Sequence, residues 1–339
     1  MSYDEDRLHH TPWVEKYRPK SLGDVASQDH AVKVLQKTLH SANLPHMLFY
    51  GPPGTGKTST VLALARELYG PSLSKLRVLE LNASDERGIL IVRQKIKNFA
   101  RLTVLNPSPD DLQNYPCPPY KIIILDEADL MTNDAQLALR RTMETYLGVT
   151  RFCLICNYIT RIIDPLALRC LKFRFRLLDG DSALARLQHI AQEEQVKLAD
   201  DSVLPLVLKL ANGDLRKAIT YLQSAVRLSE DQAVSGQVVQ ELAGVVPNDA
   251  VLKLSNAVEG AGTAQIMAVV NELVLSGWSA QQLVGQLHDA FLLNDNINEN
   301  TKNEIAGFLL DTDRRLANGT DEHVQLLNLC LQISEQVKA

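Results

Sequence analysis

At 339 residues and 45% apolar content, the chain is long enough for two or three domains with ordinary packed cores. No stretch reaches the roughly 18 apolar residues of a membrane span, and the polar beginning is not that of a signal peptide. The net charge of −5 is uneven, with 5 Lys+Arg against 12 Asp+Glu in residues 247–339, 30 against 28 in residues 1–246 and, within these, a cationic run over 140–176; a cationic face on an acidic protein points to a local anionic partner rather than general stickiness.

The first eleven residues are polar. They lead into Pro12-Trp13-Val14-Glu15-Lys16-Tyr17-Arg18-Pro19, which is too aromatic for a free tail. Asp24-Val25 follows, then a helix over residues 28–39. Asn43-Leu44-Pro45-His46 turns the chain into Met47-Leu48-Phe49-Tyr50, read as a short buried strand. Next comes Gly51-Pro52-Pro53-Gly54-Thr55-Gly56-Lys57-Thr58, which fits the phosphate-loop pattern G-x-x-x-x-G-K-[ST]. Val61, Leu62, Leu64, Ala65 and Leu68 recur at helical spacing, with Gly70 placed to cap a helix over residues 59–69. Strand, glycine loop and helix is the context this pattern requires. Its glycines let backbone N–H groups turn inward around a phosphate chain, and the helix N-terminus adds positive potential. Together with Ser59 these residues form the candidate phosphate cradle. Lys57 is placed to reach the β- and γ-phosphates and Thr58 to ligate Mg²⁺.

Residues 78–81 read as a second strand, followed by Arg87 and a helix through Arg101. On it Arg93, Lys97 and Arg101 are spaced by four and share a face. Residues 81–104 hold five basic and two acidic residues. Such a stripe is either a solvated face or a contact for a phosphate backbone. Residues 106–119 are rich in Pro, Asp and Asn and read as an insertion. Lys121-Ile122-Ile123-Ile124-Leu125-Asp126-Glu127 then gives a doubly buried parallel strand with two carboxylates at its C-terminal end, where open α/β sheets place their ligands. Asp126 is placed to hold Mg²⁺ and Glu127 to orient or deprotonate the attacking water.

Asn133 or Asp134 is expected to cap a helix to residue 146 carrying Arg140 and Arg141. Residues 151–156 form another buried strand. Cys153 and Cys156 look like C-x-x-C, but residues three apart on a strand face opposite sides, so they read as core thiols. Five cysteines, an odd number, argue against a disulfide framework and for the cytosol or nucleus. Asn157, at the strand end, is either a contact to the γ-phosphate or water, or a turn former. Residues 140–176 hold eight basic and two acidic residues. From residue 182 every segment reads helical. Asp214 is a good N-cap for a helix with Arg216 in its first turn. An arginine there opposes the helix dipole, which fits a phosphate partner or a plain surface residue.

These stretches resemble the small subunits of replication factor C, the sliding-clamp loader among the AAA+ ATPases. The resemblance runs from Trp13 to the last helix. Its most specific stretches are Pro12 to Pro19, Leu81-Asn82-Ala83-Ser84-Asp85-Glu86-Arg87-Gly88-Ile89 and Ala138-Leu139-Arg140-Arg141-Thr142-Met143-Glu144. Residues 114–125 and 151–164 narrow it to one branch of those subunits. It implies an α/β AAA+ domain over residues 1–177 (parallel sheet with flanking helices), a helical lid over 178–246 and an all-helical collar over 247–339. It places Val14, Tyr17, Arg18 and Val25 at the adenine and matches Asn157 to the first sensor and Arg216 to the second. Arg169 matches an arginine finger that serves the neighbouring subunit's ATP, which requires an assembly. Implied partners are four further subunits, a ring clamp of the PCNA type and primer–template DNA, the last touched by the helix after Arg87. The implied setting is replication and repair in the nucleus, with ATP and Mg²⁺ as cofactors.

Six leucines depart from the resemblance in one direction. Leu90, Leu130, Leu137, Leu147, Leu168 and Leu171 stand where serine is expected, the pattern of a source that reads CUG as serine. The reading is an ATPase subunit of a clamp loader. Its rivals are a self-assembling AAA+ motor or helicase, a nucleotide-holding scaffold and a metabolic P-loop kinase.

Overall fold

In the computed structural model, residues 11–338 are described apart from 26, 42, 84–88, 105, 230–231, 261 and 296. The chain divides into two compact units, spanning 1–196 with 204–223, and 197–203 with 224–339. Segment 178–246 contributes to both.

The first unit is built on five parallel strands: β1 (Met47–Tyr50), β2 (Val78–Asn82), β3 (Lys121–Asp126), β4 (Thr150–Cys156) and β5 (Leu171–Arg174). Their order across the sheet is β2-β3-β4-β1-β5. The register pairs Met47 with Cys153 and with Leu171, Val78 with Ile122, and Lys121 with Thr150. Alternation along each strand feeds two cores. Met47, Phe49, Ile122, Ile124 and Cys153 pack on one face, and Leu48, Ile123, Leu125, Phe152, Leu154 and Cys156 on the other. Each apolar side chain fully buried in this way contributes about 1.5–3 kcal/mol. Continuous apolar runs therefore fold as central strands, since a one-sided strand would alternate. The two neighbouring thiols face opposite cores, as their spacing requires, and burial pushes Cys156 up to about 12.

Flanking helices differ from expectation in informative places. Helix α1 (Asp29–Ser41) starts one residue later than predicted. Helix α2 (Lys57–Arg77) begins inside the glycine loop and does not stop at Gly70. It breaks there, at φ 69° and ψ 174°, and resumes from Pro71, whose fixed φ suits a new first turn. A Cβ at Gly70 would lie 2.5 Å from the Tyr115 ring. The expected insertion before β3 contains a short helix, α3 (Pro109–Asn114). Ser108 caps it, accepting from the Asp111 N–H at 3.2 Å, and Cys117 and Tyr120 beyond it are buried. Helix α4 (Asn133–Thr145) is capped by Thr132, which accepts from the Ala135 N–H, and not by Asn133 or Asp134. The Thr132 backbone is extended while Asn133 is already helical, so only Thr132 can serve.

The second unit is helical. Its main helices are Asn248–Gly260, Thr263–Leu275, Ala280–Leu292, Glu299–Ala317 and Glu322–Lys338. They enclose one apolar core that includes Leu254, Val270, Leu287, Ile305, Leu329 and Ile333.

Candidate active site

The sheet order sets the C-terminal ends of β3, β4 and β1 side by side. They deliver Asp126, Asn157 and the glycine loop to one place. Lys57 Nζ donates to the Gly51 and Pro52 carbonyls at 2.7 Å each and to Asn157 Oδ1 at 3.0 Å. Burial lowers the pKa of this ammonium, opposed by the charge of Asp126. Thr58 Oγ1 donates to Asp126 Oδ2 at 2.7 Å, and the other carboxylate oxygen accepts the Glu127 N–H at 2.8 Å. One hydroxyl beside one carboxylate fits Mg²⁺, which takes one or two protein oxygens together with substrate phosphates and water. Glu127 sits in the left-handed region at φ 53° and ψ 38°. That costs a non-glycine residue about 1–3 kcal/mol and is retained where a side chain must be aimed.

Glycine is required at two loop positions. A Cβ at Gly51 would lie 2.1 Å from the Phe175 carbonyl oxygen, and one at Gly54 would lie 1.9 Å from Asp214 Oδ1. Asp214 also caps the helix Leu215–Ser229, accepting from the N–H groups of Arg216 and Lys217 at 2.9 and 3.2 Å.

These groups border a cleft of about 250 Å³. Its wall includes Val14, Tyr17, Arg18 and Val25 from the N-terminal segment and Pro53, Gly54, Thr55, Gly56, Lys57, Thr58 and Ser59 from the loop and helix start. Asp126, Glu127, Asn157 and Arg216 complete the predicted set. Gly51 and Pro52 do not line the cleft; they hold Lys57 through their carbonyls.

The N-terminal segment is fastened at both ends of its length. Tyr17 Oη and Lys16 Nζ each donate to Glu194 Oε1 at 2.6 Å, the Trp13 N–H donates to Gln223, and the Leu22 N–H donates to Glu67. Burial, followed by the Glu194 contact, raises the Tyr17 pKa.

Sequence reasoning missed several contributors. Arg186 lines the cleft and donates to the Tyr17 carbonyl at 2.8 Å; a lone arginine on an amphipathic helix carries no local signal. Asp129, 8% exposed, accepts from the N–H groups of Asn157 and Tyr158 at 3.3 and 3.2 Å, fixing the end of β4. Its place two residues after Glu127 was the available hint. Gln136, fully buried, donates to the carbonyls of Met131 and Arg161 and accepts from the Ile163 N–H.

Arg169 does not line the cleft. Its Nη2 lies 2.5 Å from Glu144 Oε1. Of the four candidate DNA contacts, Arg87 and the Arg93 side chain lie outside the described residues. Lys97 and Arg101 are exposed on the helix Ile89–Arg101, where Arg101 Nε donates to Tyr146 Oη at 3.3 Å. That helix is capped from an unexpected side. Buried Lys121 donates to the carbonyls of Phe99 and Leu102 at its C-terminus, a favourable place for a cation. Leu130, Leu137, Leu147, Leu168 and Leu171 are all exposed, Leu168 most of all at 79%. The Leu90 side chain lies outside the described residues.

Three family descriptions match in order along the chain. They are the AAA ATPase family associated with various cellular activities over residues 47–178, an RCF1/5-like AAA+ ATPase lid domain over 185–227 and a replication factor C C-terminal domain over 246–332. Among curated proteins, the chain is 62% identical to replication factor C subunit 2 of Saccharomyces cerevisiae, covering 98% of this chain and 95% of that one. It is 53% identical to replication factor C subunit 4 of Homo sapiens, covering 96% and 88%. A replication factor C small subunit of Aeropyrum pernix is 40% identical over 93% of each chain. Among solved structures, the RuvB Holliday junction branch migration motor of Thermotoga maritima aligns with a TM-score of 0.51 at 17% identity, covering 75% of this chain and 85% of that one, a likeness of fold alone.

Proposed function

The chain belongs to the replication factor C family of AAA+ ATPases and is a clamp-loader ATPase subunit; from that premise we propose how its residues act and with what partners. The observation that carries the reading is the bonded junction at three adjacent strand ends, in which Lys57 reaches Asn157 and Thr58 reaches Asp126. ATP lies in the cleft with its adenine against Val14, Tyr17, Arg18 and Val25 and its phosphates in the loop from Gly51 to Ser59. Lys57 exchanges one of its oxygen acceptors for a β- or γ-phosphate oxygen. Thr58 and Asp126 would hold Mg²⁺, which when bound would supply charge neutralisation for the phosphates. Glu127 orients or deprotonates the attacking water. Asn157 contacts the γ-phosphate or the attacking water, and Arg216 adds a cation that neutralises phosphate charge in the transition state. Arg169 lies away from its own cleft and serves the ATP of a neighbouring subunit.

The assembly is a heteropentamer with four other replication factor C subunits. ATP binding holds it in a form that grips an open PCNA-type ring and primer–template DNA, and hydrolysis, stimulated by both, releases the loader. Arg87, Arg93, Lys97 and Arg101 track the DNA backbone. The acidic helical unit serves as collar, and the protein works in the nucleus, in replication and repair.

The test is ATP hydrolysis by the assembled complex, with and without primed DNA and clamp. Stimulation by both is expected. No stimulation by either ligand turns the reading to a motor or scaffold, and a native mass of six identical chains selects the motor.

A further inference from the structure

We propose that Glu144 is the positioning residue for Arg169, fixing where this guanidinium is presented to the neighbouring subunit. The inference rests on the reading of Arg169 as a finger acting in trans.

Arg169 is held at its backbone and at its tip by separate features. On the backbone side, Leu166, Ala167 and Cys170 are buried around it. The chain leading to it is anchored by Gln136, which bonds Arg161 and Ile163 from the first turn of α4. At the tip, Glu144 sits in the last turn of the same helix with its Oε1 at 2.5 Å from Arg169 Nη2. Helix α4 therefore grips the 161–170 segment at its start and the arginine head at its end.

The shared oxygen makes this a hand-over site rather than a lock. Arg140 Nε lies 3.3 Å from the same Oε1, one helical turn away. Arg169 and Glu144 side chains are 40% and 41% exposed. An ion pair that exposed biases a long side chain without immobilising it. A guanidinium has five N–H donors, and Glu144 engages one nitrogen, so other donors stay free for a phosphate. If Arg169 turns to a phosphate, Arg140 still neutralises Glu144, and no bare carboxylate is left beside the incoming negative charge. Placement matters here because a misplacement of about 1 Å at a transferring group costs up to about 100-fold in rate.

The test uses the assembled complex with primed DNA and clamp. It compares Glu144→Gln, Glu144→Asp, Arg169→Ala and the double variant Glu144→Gln/Arg169→Ala. The readout is the share of turnover that Arg169→Ala removes. Glu144→Gln is expected to remove part of that share, about 2–5-fold and through kcat, with the KM for ATP changed less than about 2-fold. It should remove nothing further in the Arg169→Ala background. Glu144→Asp, which keeps the charge, should recover part of it. Glu144→Gln that leaves turnover intact, or whose loss adds to that of Arg169→Ala, overturns the role of Glu144 while Arg169 stands as the finger. Unchanged turnover in Arg169→Ala itself overturns both. Since Glu144 is exposed, its variants should unfold at the wild-type temperature, and a large drop would mark its role as structural and overturn the proposal.

Discussion

The sheet unit and the helical unit of this chain bury very different interiors. Among the described residues the sheet unit encloses Lys57, Lys121, Asp129, Gln136 and His46, each with polar partners. Among its described residues the helical unit encloses only Ser255, Thr312 and Ser334 as buried polar side chains, and Ser255 merely returns its hydroxyl to Val251 one turn back. The described non-glycine residues with positive φ, namely Ser27, Cys117, Glu127, Gln195 and Asn212, all belong to the sheet unit. Burying polar groups and strained backbone costs stability unless they are fully paired. One unit carries that cost where nucleotide chemistry needs aimed groups. The other is an apolar packing unit whose described acidic residues stay at the surface.

Glu127→Gln should break the comparison hardest. Turnover should fall about 10²–10⁴-fold, since a positioned general base contributes that much, while ATP affinity holds. Steady-state hydrolysis and a nucleotide-binding titration read both quantities, and a parallel loss of affinity would mean that Glu127 shapes the site instead of activating water. In the helical unit Leu329→Ala should do the reverse. This fully buried side chain should cost about 2–5 kcal/mol in denaturant unfolding and leave nucleotide affinity unchanged. Gln136→Leu tests the polar interior. It strands the groups that Gln136 now pairs and should cost about 2–3 kcal/mol, where an apolar exchange of similar volume in the helical core would cost less.

A further difference concerns pH. His46 is 6% exposed and its Nδ1 accepts from the Phe152 N–H at 3.1 Å, so it must be neutral to fit. Burial, helped by Arg151 and Arg169, lowers its pKa to about 4 from the ordinary 6.5. The unfolded chain therefore takes up a proton before the folded one does. This contribution is complete above about pH 6.5 and is lost as the pH falls toward 4, by at most about 3 kcal/mol. Unfolding followed across that window should show the slope, and His46→Gln should flatten it. The smallest effect is expected of Leu168→Ser. At such an exposed position stability should shift by less than about 0.5 kcal/mol, and peptide mass spectrometry of the native protein is expected to read serine there.

Much of this was legible before any coordinates. The glycine loop, the carboxylate strand and the helical C-terminal half are carried by local patterns, because a phosphate cradle needs glycines at fixed spacing and a doubly buried strand needs an unbroken apolar run. The opposite facing of Cys153 and Cys156 follows from strand geometry, and the Asp214 cap from its side-chain reach. Tertiary structure alone decided the rest. Lys121 stands at the start of the apolar strand run, yet it is buried and caps the C-terminus of the helix Ile89–Arg101. Nothing in the local pattern singles out Gln136 or Arg186, whose roles come from their partners in the fold. Thr132 displaced the neighbouring cap candidates through its backbone conformation, and the glutamate beside Arg169 comes from a helix 25 residues earlier in the chain. In each case the deciding partner is far away in sequence or set by a dihedral angle, and a one-dimensional pattern records neither.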